Sequence, residues 1–124
     1  MPKIYAFDID ETIEVSNGPV TLQMMMDLRV QGHIVGLIGN WGLFVSKVPG
    51  WQHLVSFLSL GDRPKHVIMQ QLEMYVPCEE RILVGNTFGQ DNGMGFIGQS
   101  HDSEEAQIAG WRFIREIDFA NGAR

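Results

Sequence analysis

Three short stretches of this chain are almost unbroken apolar runs that close abruptly on polar or glycine residues: Lys3 to Asp8 (KIYAFD), Ile34 to Ile38 (IVGLI) and Arg81 to Asn86 (RILVGN). A strand with one solvated face alternates apolar and polar residues, whereas an unbroken run has no face to give to water. Such runs read as strands of a parallel sheet covered by helices on both sides. A fourth run, Val55 to Leu60 (VSFLSL), is closed by Gly61 and Asp62, and a fifth, Trp111 to Phe119 (WRFIREIDF), alternates as an edge strand does.

Helical patterns fall between these runs. Thr21 is placed to cap a helix that carries Leu22, Met25, Leu28 and Met26 on one face and ends at Gly32. The adjacent Met24, Met25 and Met26 read as core filler, because methionine packs irregular gaps. Residues 41–56 are mixed, with a turn at Pro49-Gly50 and Trp41 and Trp51 packing near each other. Pro64 suits the first turn of a helix holding Val67, Ile68, Gln71, Leu72 and Tyr75, and Pro77 stops it. Residues 87–101 hold four glycines and no period, so they read as a long loop. Asp102 and Glu105 form a capping box for a short helix ending at Gly110. Strands alternating with helices in this way predict an α/β domain with a five-stranded, mostly parallel central sheet. At 124 residues there is room for one such domain over 1–124, burying roughly two thirds of its unfolded surface.

Composition removes several function classes. Lys plus Arg total 9 against 15 Asp plus Glu, a net charge of −6, which repels phosphate backbones and anionic membrane surfaces and argues against general nucleic-acid binding. The single cysteine, Cys78, cannot close an internal disulfide and lies away from any base. The N-terminus meets acids before any long apolar stretch, and no apolar run is long enough for a membrane span. The expectation is a cytoplasmic domain.

Parallel sheets bind ligands beyond the C-terminal ends of their strands, where strand order reverses. The residues at those ends are Asp8-Ile9-Asp10, Gly39-Asn40, Gly61 to Lys65 and Gly85-Asn86. Asp8 and Asp10 are two apart, so an extended backbone points both carboxylates to one side. Two carboxylates held together repel unless a cation neutralises them, and Lys65 opens a helix after another strand. The four histidines, His33, His53, His66 and His101, have no metal-ligand spacing and read as surface residues, with His101 nearest the site loop.

In order along the chain, FDIDETI at 7–13, LIGN at 37–40, RPKH at 63–66 and ILVGN at 82–86 resemble the four motifs of the haloacid dehalogenase superfamily of phosphohydrolases. Asp102, Ala106, Ala109, Gly110 and Trp111 match a pattern often seen after the fourth motif. The resemblance spans roughly residues 3 to 119 and implies a three-layer, Rossmann-like sandwich. It also implies hydrolysis of phosphate monoesters through an aspartyl-phosphate. Asp8 would be the nucleophile, and Asp10 the general acid to the leaving oxygen and then the base for water. Lys65 would neutralise Asp8 and the phosphoryl group. Asp8, the Asp10 main-chain carbonyl and Asn86 would hold Mg²⁺, and Gly39 and Asn40 would bind the phosphate. These roles suit a loose phosphoryl-transfer transition state, which needs in-line positioning and positive charge.

The chain departs from the family pattern at two positions. Gly39 stands where a hydroxyl would donate to phosphate, and Asn86 replaces a metal-binding aspartate; Asp91 in the glycine-rich loop is the candidate compensating ligand. The gaps at 13–20 and 41–62 are too short for an inserted cap, so the resemblance is to a capless member. Capless relatives commonly act on phosphate esters of macromolecules or complete their site with a neighbouring subunit, as in a homo-oligomer. The departures also define an alternative, a catalytically weak domain that binds phosphorylated partners without turnover.

Overall fold

The computed structural model describes residues 2–59, 65–86 and 102–124. Its centre is a sheet of five strands, all parallel, in the order β3-β2-β1-β4-β5. The strands are β1 (Ile4–Phe7), β2 (Ile34–Leu37), β3 (Phe57–Leu58), β4 (Arg81–Gly85) and β5 (Arg112–Arg115). The helices are α1 (Leu22–Val30), α2 (Trp41–Lys47), α3 (Lys65–Tyr75), α4 (Asp102–Ala109) and α5 (Glu116–Ala120). All four residues of β1 are buried, which is why its run is unbroken. The strand sits in the middle of the sheet, with Ile4 opposite both Ile34 and Arg81 and Phe7 opposite both Leu37 and Val84. The chain builds outward from β1 through β2 to β3, then crosses back to lay β4 against the free side of β1. Strand order therefore reverses between β1 and β4, the place where a doubly wound sheet opens a crevice.

Alternate residues of each strand feed two cores. Tyr5, Phe7, Val35, Leu37, Ile82 and Val84 join Met25, Leu28, Phe44 and Phe119 on one face. Ile4, Ala6 and Leu83 join Met69, Ala106, Ala109 and Trp111 on the other. This is the three-layer α/β sandwich that the sequence predicts. Among the described residues no cap domain interrupts it. The 13–20 segment holds a 3₁₀ turn at Glu14–Ser16 and an Ile13–Val20 bridge, and the segment after β2 holds α2, a second 3₁₀ turn at Trp51–His53 and β3. No described helix is long and apolar enough to cross a membrane.

Several local expectations hold. Thr21 Oγ1 accepts from Met24 N–H at 3.1 Å and caps α1, and Met25 and Leu28 are that helix's buried residues. Trp41 and Trp51 both pack, partly buried, on the first core. Others need correction. Met26 is exposed at the edge of a shallow apolar cleft that it shares with Leu22, Val48, Pro49 and Leu54. The third strand is shorter than the run from Val55 to Leu60. Its ladder hydrogen bonds with β2 run from Ser56 N–H on Val35 O to Ser59 N–H on Leu37 O, while Val55 is buried ahead of the strand. Gly36 makes room for this pairing, since a Cβ there would lie 2.2 Å from the Phe57 ring. In α3 the inward residue is Met69, with Leu72 partly buried beside it, and Tyr75 is 78% exposed. Leu60, the segment 61–64 with Pro64, the segment 87–101 expected as a loop, with Asp91 and His101, and the Asp102 side chain lie outside the described residues.

The largest correction concerns the C-terminal run. It is a strand only to Arg115, whose extended backbone (φ −65°, ψ 148°) turns directly into α5, with Glu116 and Asp118 in the first turn where acids favour the helix dipole. The turn drops Phe119 into the core. There it meets Phe7 edge-on at 5.2 Å and Tyr5 at 6.1 Å, with the Arg124 guanidinium over its outer face at 3.9 Å. At the opposite end of the sheet from the strand tips, Lys3 and Arg112 both pair with Glu80. Burial alone would raise the Glu80 carboxyl, but hydrogen bonds from Arg112 and Lys3 outweigh it and hold the group below the usual carboxylate range.

Phe119→Ala is expected to cost about 3–5 kcal/mol in denaturant unfolding, as removal of a fully buried aromatic does. A loss below about 1 kcal/mol, the size of an ordinary surface change, would mean that α5 does not seat this ring in the core.

Candidate functional site

Asp8 is the first residue beyond β1, and its N–H still continues the ladder to Val84 O at 2.9 Å. Its backbone is thus fixed by the sheet at the point of strand reversal. Only 12% of the Asp8 side chain is exposed, and a carboxylate so shielded needs a partner. Lys65 supplies it. Its Nζ lies 3.0 Å from Asp8 Oδ1, across 57 positions of sequence.

The next residues turn sharply. Ile9 is fully buried, and its carbonyl accepts from Thr12 N–H at 3.0 Å and Ile13 N–H at 3.2 Å. Glu11 takes the left-handed conformation (φ 59°) that the turn requires. The Ser16 hydroxyl closes the turn from below by donating to Ile9 O and Ile13 O. The result separates the two aspartates by environment. Asp8 is buried against Lys65, whereas Asp10 is exposed.

The Asp10 residue is held at both ends. Its main-chain carbonyl accepts from Asn86 Nδ2 at 2.9 Å and from Thr12 Oγ1 at 3.5 Å. Its carboxylate Oδ1 accepts from Asn40 Nδ2 at 3.3 Å. Asn86, the residue after β4, is itself buried. Asn40, expected on the phosphate, thus has its amide on Asp10. Gly39 presses against Asp8: its φ is +120°, and a Cβ built on it would lie 2.8 Å from Asp8 Oδ1, the same oxygen that Lys65 holds.

Six of the seven residues singled out from sequence (Asp8, Asp10, Gly39, Asn40, Lys65 and Asn86) are therefore joined by contacts at one edge of the sheet. They come from four separate chain segments. Asp91 is the seventh and lies outside the described residues. The donor set suits a hard cation. The Asp8 carboxylate, the Asp10 carbonyl and the Asn86 carboxamide carry oxygens at adjoining strand ends, while in this structure the Asn86 Nδ2 donates to the Asp10 carbonyl. Among the described residues no group of three or more His, Cys, Asp or Glu could hold a metal ion.

Glu105, expected to close a capping box with Asp102, and His66, expected at the surface, instead pair with each other near this cluster. His66 Nδ1 lies 2.7 Å from Glu105 Oε2, and the Glu105 side chain is only 5% exposed. The available signal was the helical face of α4, since Glu105 lies one position before buried Ala106 and four before buried Ala109. With the fold and this geometry in place, no protein-family model, curated protein or solved structure matches the chain.

The Gly39 contact yields a direct expectation. Gly39→Ser should not restore a phosphate-binding hydroxyl; it should push Asp8 Oδ1 off Lys65 and strain a backbone that only glycine adopts without cost. The expected loss is about 1–3 kcal/mol in unfolding free energy, with no gain in affinity for inorganic phosphate. A serine variant of unchanged stability that binds phosphate more tightly would mean that Gly39 is simply a missing donor.

Proposed function

We propose that the domain is a capless phosphohydrolase of the haloacid dehalogenase type, dependent on Mg²⁺, which cleaves phosphate monoesters through an aspartyl-phosphate. The observation that carries this reading is the ion pair between Asp8 and Lys65 at the point of strand reversal. A shielded carboxylate can be a nucleophile toward a phosphate dianion only if a cation lowers the repulsion between them, and Lys65 is positioned to do so. Mg²⁺ bound by the Asp8 carboxylate, the Asp10 carbonyl and the Asn86 amide oxygen would supply further charge neutralisation at the phosphoryl oxygens.

Two balanced steps follow from the residues. In the first, an Asp8 carboxylate oxygen forms a bond to phosphorus as the ester P–O bond breaks, and the leaving oxygen takes its proton from Asp10. In the second, Asp10, now a carboxylate, removes a proton from water. The water oxygen bonds to phosphorus, and the Asp8–phosphorus bond breaks to release phosphate and the original carboxylate. The differing environments of the two acids suit the division of labour. Asp8 is fixed by the sheet and Lys65, while the exposed Asp10 has access to water. The Asn40 amide on Asp10 Oδ1 orients that carboxyl group. The absence of a cap among the described residues favours a bulky substrate, including phosphate esters on macromolecules or at a subunit boundary. The single cysteine and acidic charge favour a reducing, cytoplasmic setting.

A second reading, a weak or inactive domain that binds phosphorylated partners, draws on one observation. The Asn86 amide donates to the Asp10 carbonyl, a group that would otherwise serve a cation, and brings no charge of its own. Turnover separates the two. Asp10→Asn is expected to slow an alkyl phosphate by about 10²–10⁴-fold, the usual worth of a general acid, and to slow an aryl phosphate with an acidic leaving group far less. Asp8→Asn should abolish both reactions while leaving the fold intact and the melting temperature equal or somewhat lower, since the amide keeps the shape but loses the ion pair with Lys65. Equal losses for both substrates in Asp10→Asn would remove its acid role, and Mg²⁺-independent absence of turnover in the parent protein would favour the binding domain.

A further inference from the structure

The first turn of α3 is tied to the molecule in two directions by consecutive residues. Lys65 reaches Asp8 at the tip of β1, and His66 reaches Glu105 on α4. Neighbouring positions on a helix project about 100° apart, so the two contacts oppose rotation of the turn about its axis as well as displacement along it. The second contact is costly to lose. Glu105 is almost fully buried, beside Ala106 and Ala109 in the second core, and its carboxylate can stay there only with a hydrogen-bond donor. The His66 ring, 27% exposed on its side chain, is the group in reach, with Nδ1 2.7 Å from Oε2, and it is that donor in the tautomer that carries the proton on Nδ1. A lysine, by contrast, is a point charge on a flexible four-carbon stem, and it contributes no rigidity of its own. Where its ammonium rests depends on how firmly its backbone is held.

We propose that His66 and Glu105 are positioning residues for Lys65: by locking the first turn of α3 onto α4, their hydrogen-bonded pair keeps the Lys65 ammonium on Asp8. The consequence for turnover rests on the phosphohydrolase reading; the mechanical claim does not. Helix α4 thereby becomes part of the site's framework although neither partner of the pair touches Asp8. The pair also explains why a buried carboxylate is retained on a helix face otherwise lined with alanine.

The test reads Lys65 directly and needs no turnover. Glu105→Leu removes the buried carboxylate and leaves His66 able to reach water, so no buried charge is orphaned. The native protein and the variant are acetylated with a lysine-directed N-hydroxysuccinimide ester well below their melting range, and the modified sites are quantified by mass spectrometry. Lys65 labelling, normalised to Lys3 and Lys47, should rise about fivefold in Glu105→Leu, corresponding to about 1 kcal/mol of lost pairing. Asp8→Asn, which removes the Lys65 partner itself, should raise it at least as much. Glu105→Gln, whose amide oxygen still accepts from His66, should keep labelling near the native level even if it lowers stability. A purely structural pair would lower the melting temperature and leave Lys65 labelling unchanged, and that result would overturn the proposal. Should Glu105→Leu not fold, the double variant His66→Leu/Glu105→Leu replaces the whole pair with apolar groups and is read in the same way. In turnover assays, Lys65→Met should cost less in the Glu105→Leu background than in the native one; strictly additive losses would count against positioning. A parent protein without phosphatase activity would remove the functional reading while the labelling result still judged the pair.

Discussion

A shielded carboxylate at the tip of the central strand sets the terms for the rest of the site. Asp8 cannot remain ionised behind the end of β1 without a cation, and the fold brings one from the start of α3, more than fifty positions away. That requirement explains several features at once. The strand must be central, because only a strand paired on both sides fixes Asp8 by the ladder. The crossover from β3 must deliver the first turn of α3 to the reversal point. Gly39 must lack a side chain, because any Cβ there would collide with the oxygen that Lys65 holds. The position that looks like a deletion of function is, in this geometry, a condition for the ion pair.

Asn86 shows the opposite balance. Its amide satisfies the Asp10 carbonyl by hydrogen bonding and so stabilises the turn between β1 and α1 without adding negative charge to a cleft that already holds two carboxylates. An aspartate there would set one oxygen against another in the absence of a cation. The turn is thus satisfied by the chain's own residues.

The parts of this design that were legible in the sequence are those set by local pattern and by doubly covered strands. The runs at 3–8, 34–38 and 81–86 carry no polar face, so their role and their parallel arrangement followed, as did the polar residues at their ends. Thr21 was readable as a cap because capping is local. What escaped was decided by long-range packing. The run from Trp111 to Phe119 alternates well enough for a strand, but β5 lies at the sheet edge and has only β4 to pair with, so the chain leaves it after Arg115 to bury Phe119. The inward face of α3 centres on Met69 rather than Tyr75 because it follows the second core, where Ile4, Ala6 and Leu83 wait. The His66–Glu105 pair joins residues 39 positions apart on two helices, and the face of α4 that turns Glu105 inward gives no hint of its partner.

The most direct measurement asks whether Asp8 becomes phosphorylated. The protein is mixed with an aryl phosphate and Mg²⁺, quenched during turnover, treated with borohydride to reduce any acyl phosphate to the alcohol, and digested for mass spectrometry. The account predicts homoserine at position 8 and at no other aspartate, with none formed when substrate is omitted. Sustained turnover with an unmodified Asp8 peptide, or reduction appearing at Asp10 instead, would contradict it.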